Sequence, residues 1–254
     1  MFQKINNSFL ENQDELESKH KYLVIPDLHG TYSIYKKIEH YIKNHIDKDT
    51  IVIFLGDYFD RGEPGTVLEK EFKDAGSYLL VRDLINLKEW ANSNQISMLF
   101  LKGNHEIFYE EYYLNDNKEI RDEFKFLDAT MSCFDYVFKH DRSFYEKFIS
   151  FLSDLVPYYV DKKFKYLFVH AGVDPDNKNF KSQVSDETIF WIRDQFLFST
   201  KKLNFTVIFG HTPFSKPYMK SDKIGLDSGV YSRDYFFMLN INNENQKIIK
   251  LTKN

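Results

Sequence analysis

One cysteine, Cys133, stands in the whole chain of 254 residues. A lone thiol excludes an intramolecular disulfide and any cysteine-built zinc site. Its neighbours in "MSCF" are apolar, so the sequence predicts a buried structural thiol rather than a nucleophile. An excess of one charge is also missing: the net charge of −4 offers no basic footprint to nucleic acid or anionic lipid. Long apolar runs are absent, and stretches such as "IVIFL" are far too short to span a bilayer. The N-terminal "MFQKINNSFLENQDELESKH" has no uninterrupted apolar stretch, and its "DELE" (14–17) reads as a solvated end. No secretory signal is expected, and the expected compartment is the cytoplasm. No Gly/Ser- or Pro-rich linker, internal repeat or low-complexity tract divides the sequence. We expect residues 1–20 to be an N-terminal extension and residues 21–254 a single domain, with no membrane or nucleic-acid partner.

What is present is apolar material in short pieces. Hydrophobic residues make up 43% and aromatics 17%, enough to bury a sizeable core. Runs of strand length recur: "YLVI" (22–25), "TIVIFL" (50–55), "ISMLFL" (96–101), "KYLFV" (165–169) and "FTVIF" (205–209), then "IGLD" (224–227) and "YFFMLNI" (235–241). They lack clean alternation, as strands covered on both faces do. Helical patterns lie between them. Ile34, Ile38, Tyr41, Ile42 and Ile46 repeat at helical spacing, residues 66–92 carry a second such pattern, and 107–154 are mostly helix-compatible up to Pro157. Strands alternating with helices predict an α/β protein, and the late strand cluster predicts a second sheet packed on the first.

The polar residues fall at the strand ends. "YLVIP" runs into Asp27-Leu28-His29-Gly30, and "IVIFL" into Gly56-Asp57-Tyr58-Phe59-Asp60-Arg61-Gly62. "MLFLK" runs into Gly103-Asn104-His105-Glu106, "KYLFV" into His170-Ala171-Gly172, and "FTVIF" into Gly210-His211-Thr212. Each motif alone has a plain structural reading: a tight turn, a helix start, or a satisfied core histidine. Five in register with five strand ends do not, because ligands of open α/β sheets bind beyond the carboxyl ends of the strands. Carboxylate and imidazole without thiolate suit Mn, Fe or Zn, whereas Ca and Mg sites prefer oxygen alone. The set is too large for one ion and suits two, sharing a carboxylate and a water, about 3.5–4 Å apart.

In this order, "DLHG", "GDYFDRG", "GNHE", "HAG" and "GHT" resemble the calcineurin-like metallophosphoesterases, and more narrowly the phosphoprotein phosphatase family with its bacterial and phage Ser/Thr phosphatases. The resemblance implies a four-layer α-β-β-α sandwich, two packed mixed sheets flanked by helices. It also implies two divalent metal ions, manganese first with iron or zinc as alternatives. Asp27 and His29 match the ligands of the first metal, Asp57 the bridging carboxylate, and Asn104, His170 and His211 the ligands of the second. His105 matches the general acid and Asp60 the carboxylate that orients it. Arg61 matches a phosphate-gripping guanidinium, and Arg193 in "ETIFWIRDQF" a second one, with Asn104 and His105 also facing the phosphate. The implied reaction is hydrolysis of phosphoserine or phosphothreonine in proteins, by a metal-bridging hydroxide in line with the leaving group.

The sequence departs from the family pattern in places. Pro26 replaces a usual glycine, "GLDSGVYSRD" stands where eukaryotic members carry Ser-Ala-Pro-Asn-Tyr, and "LDATMSC" (127–133) sits where a Gly-Gly pair is usual. Two other readings stand beside the phosphoprotein one: hydrolysis of dinucleoside polyphosphates or another small phosphoester at the same site, and a non-catalytic scaffold. Against the scaffold, every expected ligand is present. The "FYEEYY" segment (108–113) either lines the groove or packs at the core boundary.

Overall fold

Alternation of short apolar runs with amphipathic segments produces two five-stranded mixed sheets in the computed structural model. It describes residues 21–242 and 245–254, so the extension over 1–20, with its "DELE" run, lies outside the described residues. In the first sheet β1 (Lys21–Ile25), β2 (Thr50–Phe54) and β5 (Ser97–Phe100) run parallel, with Leu23 beside Val52 and Val52 beside Met98. Strand β11 (Tyr235–Asn242) joins β1 antiparallel, and β12 (Asn245–Thr252) closes that edge. The second sheet has β7 (Tyr166–Val169), β8 (Thr206–Phe209) and β10 (Lys223–Gly225) in parallel, flanked by β6 (Tyr158–Asp161) and β9 (Tyr218–Met219). A small hairpin, β3 (Gly65–Val67) and β4 (Lys70–Phe72), stands apart.

Successive side chains of a strand point to opposite faces, and each sheet buries both. Tyr22, Val24, Ile51 and Ile53 face inward against Phe168, Ile208 and Ile224 of the second sheet. Leu23, Ile25, Val52 and Phe54 face outward under the helices α1 (Tyr32–His45), α2 (Gly76–Ser93), α3 (Asn104–Tyr113), α5 (Asp128–His140) and α6 (Arg142–Ser153). Leu167, Val169, Val207 and Phe209 pack under the shorter helices α8 (Thr188–Trp191) and α9 (Asp194–Leu197). Two more short helices, α4 (Ile120–Glu123) and α7 (Phe180–Ser185), lie in connections. The result is the predicted four-layer α/β sandwich. Each buried Leu, Ile or Phe contributes about 1.5–3 kcal/mol, so the three apolar layers hold the strand ends in fixed relation.

The helical stripe after Thr31 folds as its spacing predicts, with Ile34, Ile38 and Ile42 buried and Tyr41 and Ile46 packed at its margin. Cys133 is buried on α5, where burial pushes its thiol up to about 12. The stretch 66–92 differs from expectation. Its first part is the β3–β4 hairpin, whose Val67 and Phe72 are buried, and the helix starts only at Gly76. The left-handed pair Leu68 and Glu69 makes the tight turn between Val67 and Lys70, a conformation that a helix cannot accommodate. Among the described residues no helix is long and apolar enough to cross a membrane.

Candidate active site

Six strand-to-loop turns meet at one edge of the sandwich. Asp27 and His29 follow β1, Asp57, Asp60 and Arg61 follow β2, and Asn104 and His105 open α3 after β5. His170 follows β7, His211 follows β8, and Asp227 follows β10. The turns are sharp: His29, Asp57, Asp60, Arg61 and His211 all have φ between +43 and +66°. Such conformations cost about 1–3 kcal/mol each in a non-glycine residue and concentrate at functional sites. Gly56, at φ +101°, lies so close to Gly103 that any side chain there would overlap its backbone.

Hydrogen bonds lock the turns together. Asp57 O accepts the N–H groups of Leu28 and His29 at 3.1 and 2.9 Å. Glu106, fully buried in the first turn of α3, accepts N–H groups from Asp57, Tyr58 and Gly103, each at 2.8 Å. "GNHE" is thus both a helix start and part of the site, with Gly103 rather than Asn104 at the cap.

At the centre, Asp57 points its two carboxylate oxygens at two groups of ligands. Oδ2 lies 3.4 Å from His29 Nε2, and Oδ1 lies 3.5 Å from His170 Nε2. His170 Nε2 is also 2.9 Å from Asn104 Oδ1 and 3.2 Å from His211 Nδ1. The other nitrogens of two histidines are committed. His170 Nδ1 donates to Leu55 O and His29 Nδ1 to Phe59 O, both at 2.9 Å. A carbonyl only accepts, so each Nε2 carries a lone pair towards Asp57. Burial holds the pKa of His29 down to about 3 and that of His211 to about 2, and it lowers that of His170. Neutral imidazoles and carboxylate oxygens converging without a proton between them fit a pair of cations. His211 Nε2, buried without a hydrogen-bond partner, adds to that donor set. Two groups close enough to hold an ion share Asp57: His29, Asp57 and His105, and Asp57, His170 and His211.

His105 differs from the other three. Burial opposes its charged form, but Asp57 and Asp60 outweigh burial and raise its pKa. Its Nδ1 meets Asp60 Oδ2 at 2.6 Å, and Tyr109 Oη donates to Asp60 Oδ1 at 2.6 Å. The remaining nitrogen, Nε2, faces the cavity 4.0 Å from Asp57 Oδ2. An imidazole whose charged form is favoured suits proton donation better than metal ligation, so proximity places His105 in the first group and chemistry sets it apart.

Asp27 is buried but belongs to neither three-residue group; both its oxygens accept the His211 N–H, at 2.8 and 3.0 Å. Burial, then Asp227 and Asp57, raise its pKa well above the usual carboxylate range. Three crowded carboxylates are a further reason to expect cations here. Asp227 had no role in the sequence reading, although "IGLD" ends a strand as the other motifs do. It lines the cavity, accepts the Gly229 N–H at 2.7 Å, and is raised by burial to about 6.

The exposed arginines flank the centre. Arg61 Nη1 is 3.2 Å from His29 Nε2, and its guanidinium lies 4.7 Å from the ring centre of Tyr231, a residue without a sequence signal. Arg193 donates to Thr212 Oγ1 at 3.3 Å. It stands between α8 and α9 with φ −132° and ψ −94°, so "ETIFWIRDQF" forms two short helices with Trp191 exposed. Both arginines line a cavity of about 470 Å³ over the metal-ligand groups. "FYEEYY" serves both purposes: Phe108 lines the cavity, Tyr109 braces Asp60, and Tyr112 and Tyr113 pack on the core.

The calcineurin-like phosphoesterase family model matches residues 20–241. The chain belongs to that family. Its fold is shared by a cold-active protein-tyrosine phosphatase of a psychrophilic Shewanella species (TM-score 0.60, 15% identity, 94% of this chain and 84% of that one). A putative diadenosine tetraphosphatase is similar as well (TM-score 0.57, 15% identity, 91% and 94% covered). So is a protein serine/threonine phosphatase from Saccharomyces cerevisiae with similarity to human phosphatase PP5 (TM-score 0.54, 14% identity, 96% and 88% covered). No curated protein matches the sequence.

Proposed function

We propose that this phosphoesterase removes phosphate from phosphoserine or phosphothreonine in protein chains, using two divalent metal ions, manganese before iron or zinc. The supporting observation is the split carboxylate: Asp57 Oδ2 faces His29 and Asp57 Oδ1 faces His170. Asp27 and His29 would hold one ion, Asn104, His170 and His211 the other, with Asp57 shared. When bound, such a pair supplies Lewis acidity and a water of lowered pKa.

The side chains divide the remaining work. Arg61 and Arg193 grip the non-reacting phosphate oxygens, with Asn104 and His105 beside them. His105 supplies a proton from Nε2, and Asp57 and Asp60, by raising its pKa, favour the protonated form. As the ester bond breaks, that proton passes to the leaving oxygen, so the alcohol departs neutral. Asp60 fixes the imidazole through Nδ1 and favours its charged form, and Tyr109 fixes Asp60. The complete donor set argues against a non-catalytic scaffold.

The test is product analysis in Mn²⁺ on a phosphoserine peptide and diadenosine tetraphosphate side by side, with Asp57→Asn as the blank. Inorganic phosphate from the peptide, missing in the blank, is the expected result. Nucleotide products without peptide hydrolysis would overturn the phosphoprotein reading in favour of the dinucleotide one.

A further inference from the structure

Asp74 is a buried carboxylate, 2% exposed, that the chemistry above leaves unused. Burying it costs free energy unless its oxygens are filled, and three separate segments fill them. Oδ1 accepts the Ser77 N–H at 2.9 Å, one of the first N–H groups of α2, which have no partner inside the helix. The Gly62 N–H also donates to the carboxylate, and any side chain on Gly62 would overlap it. A helix start and a turn need no more than that. Oδ2, however, accepts the Ser77 hydroxyl at 2.8 Å and, at 2.6 Å, the hydroxyl of Thr130 on α5, 56 residues away. The β3–β4 hairpin brings the two together: Tyr136 of α5 packs 5.4 Å from the Phe72 ring and donates to Leu68 O at 3.3 Å. Thr130 is buried as well and hydrogen-bonds the Tyr109 hydroxyl, easing the upward push that burial and Asp60 give that phenol. Tyr109 gives its own proton to Asp60 Oδ1, so Thr130 divides a single proton between Asp74 Oδ2 and Tyr109 Oη, a three-centre bond. Asp60 Oδ2 completes the line at His105 Nδ1, 2.6 Å away.

We propose that Asp74 and Thr130 are positioning residues for the proton transfer, holding Tyr109 and Asp60 so that the His105 imidazole keeps Nε2 aimed at the leaving oxygen. This rests on His105 as the acid and adds two residues that do not line the cavity. An imidazole held through Nδ1 swings whenever its carboxylate turns, and Asp60 is kept from turning because Tyr109 holds Oδ1 while His105 holds Oδ2. The Tyr109 hydroxyl stays in place in its turn because Thr130 faces it, and Thr130 stays in place because Asp74 does. Valine has the shape of threonine without the hydroxyl, so Thr130→Val breaks the line at one link, and Asp74 Oδ2 keeps the Ser77 hydroxyl as a partner. The competing role is structural: Asp74 braces only the start of α2 and the turn that carries Arg61. That role would act on stability and on the phosphate grip, not on the aim of His105.

The experiment measures kcat and KM in Mn²⁺ on a phosphoserine peptide and on 4-nitrophenyl phosphate, for wild type, Thr130→Val, Thr130→Ser and Asp74→Ser. In Thr130→Val, with circular dichroism unchanged, kcat on the peptide should fall by about tenfold at constant KM. On 4-nitrophenyl phosphate, whose leaving oxygen needs little help from a proton, the fall should be about twofold at most. Thr130→Ser should return both values to wild type. Serine at position 74 can still accept the Ser77 N–H but is too short to reach Thr130, so Asp74→Ser should show the same selective fall in kcat, alongside a rise in KM through the turn of Arg61. Equal losses on both substrates in Thr130→Val, a loss confined to KM, or no loss at all would overturn the proposal. A readout without turnover is the Nδ1–H proton resonance of His105 in isotope-labelled, Zn²⁺-loaded protein. It should lie far downfield in wild type and Thr130→Ser and move upfield in Thr130→Val. A resonance missing from wild type, or unmoved in Thr130→Val, would equally overturn the proposal. Phosphate release by wild type from neither substrate would sink the phosphatase reading itself, and the resonance would still decide whether Asp74 and Thr130 hold His105.

Discussion

Glu106 Oε2 accepts the backbone N–H of Asp57 across 49 residues of sequence, at 2.8 Å, and the N–H of Gly103 at the same distance. The carboxylate thus pins the turn that carries Asp57 to the helix that carries His105. Glu106→Gln puts an amide donor where one oxygen had accepted, leaving at least one buried N–H without a partner. The expected loss is about 1–3 kcal/mol, or roughly 2–4 °C of melting temperature per kcal/mol. Thermal unfolding of the metal-free proteins checks it, and an unchanged melting point would show that the carboxylate is dispensable.

Because Asp57 serves both ligand groups, Asp57→Asn should weaken both ions, whereas His170→Ala should weaken one. Saturating wild type with Mn²⁺ at about 100 times its dissociation constant stabilises the fold by about 2.7 kcal/mol, and a chelator reverses this. Elemental analysis and melting curves across a Mn²⁺ titration test the assignment. Two tightly held ions in Asp57→Asn would contradict it.

His105→Asn should fold and bind metal, yet lose about 10²–10⁴-fold in kcat. The loss should be greatest for alkyl phosphates, whose leaving oxygen needs the proton most, and least for 4-nitrophenyl phosphate. Equal losses on both substrates would remove His105 from the acid role and leave it a positioning group.

His211 has a pKa pushed down to about 2, first by burial and then by His170, against 6.5 for the free side chain. Below pH 6.5 the unfolded chain takes up a proton that the folded chain refuses. The contribution to stability is therefore present above that pH and lost as pH falls towards the native value, by up to about 1.4 kcal/mol per pH unit. Urea unfolding of metal-free wild type and His211→Asn at pH 7.5 and 5.5 should show wild type losing more on acidification. A gap between the two proteins that does not vary with pH would mean that His211 takes up its proton as readily in the native state as in the unfolded chain.

Strand spans, the helical stripe of α1 and the Asp, His and Asn residues that gather at the site were all legible in the sequence, because each depends on local pattern. Apolar runs such as "TIVIFL" bury themselves wherever they fall, and Asp, His and Asn at their ends announce their chemistry by type alone. The β3–β4 hairpin was hidden, since the helical pattern of Leu80, Leu84 and Leu87 reads back as far as Val67, and the left-handed Leu68-Glu69 turn that breaks it is a backbone feature. What the tertiary structure decided was how like residues divide. The resemblance set His105 apart as the acid, but only the fold shows the physical cause: Asp57 and Asp60 raise the pKa of His105, while burial lowers those of His29, His170 and His211. Asp57 came to stand in both three-residue groups, Asp27 took the N–H of His211 from 184 residues away, and Phe126, Phe108 and Trp191 came together. Burial and the pull of neighbouring charges depend on distances between segments far apart in the chain, and only folding sets those distances.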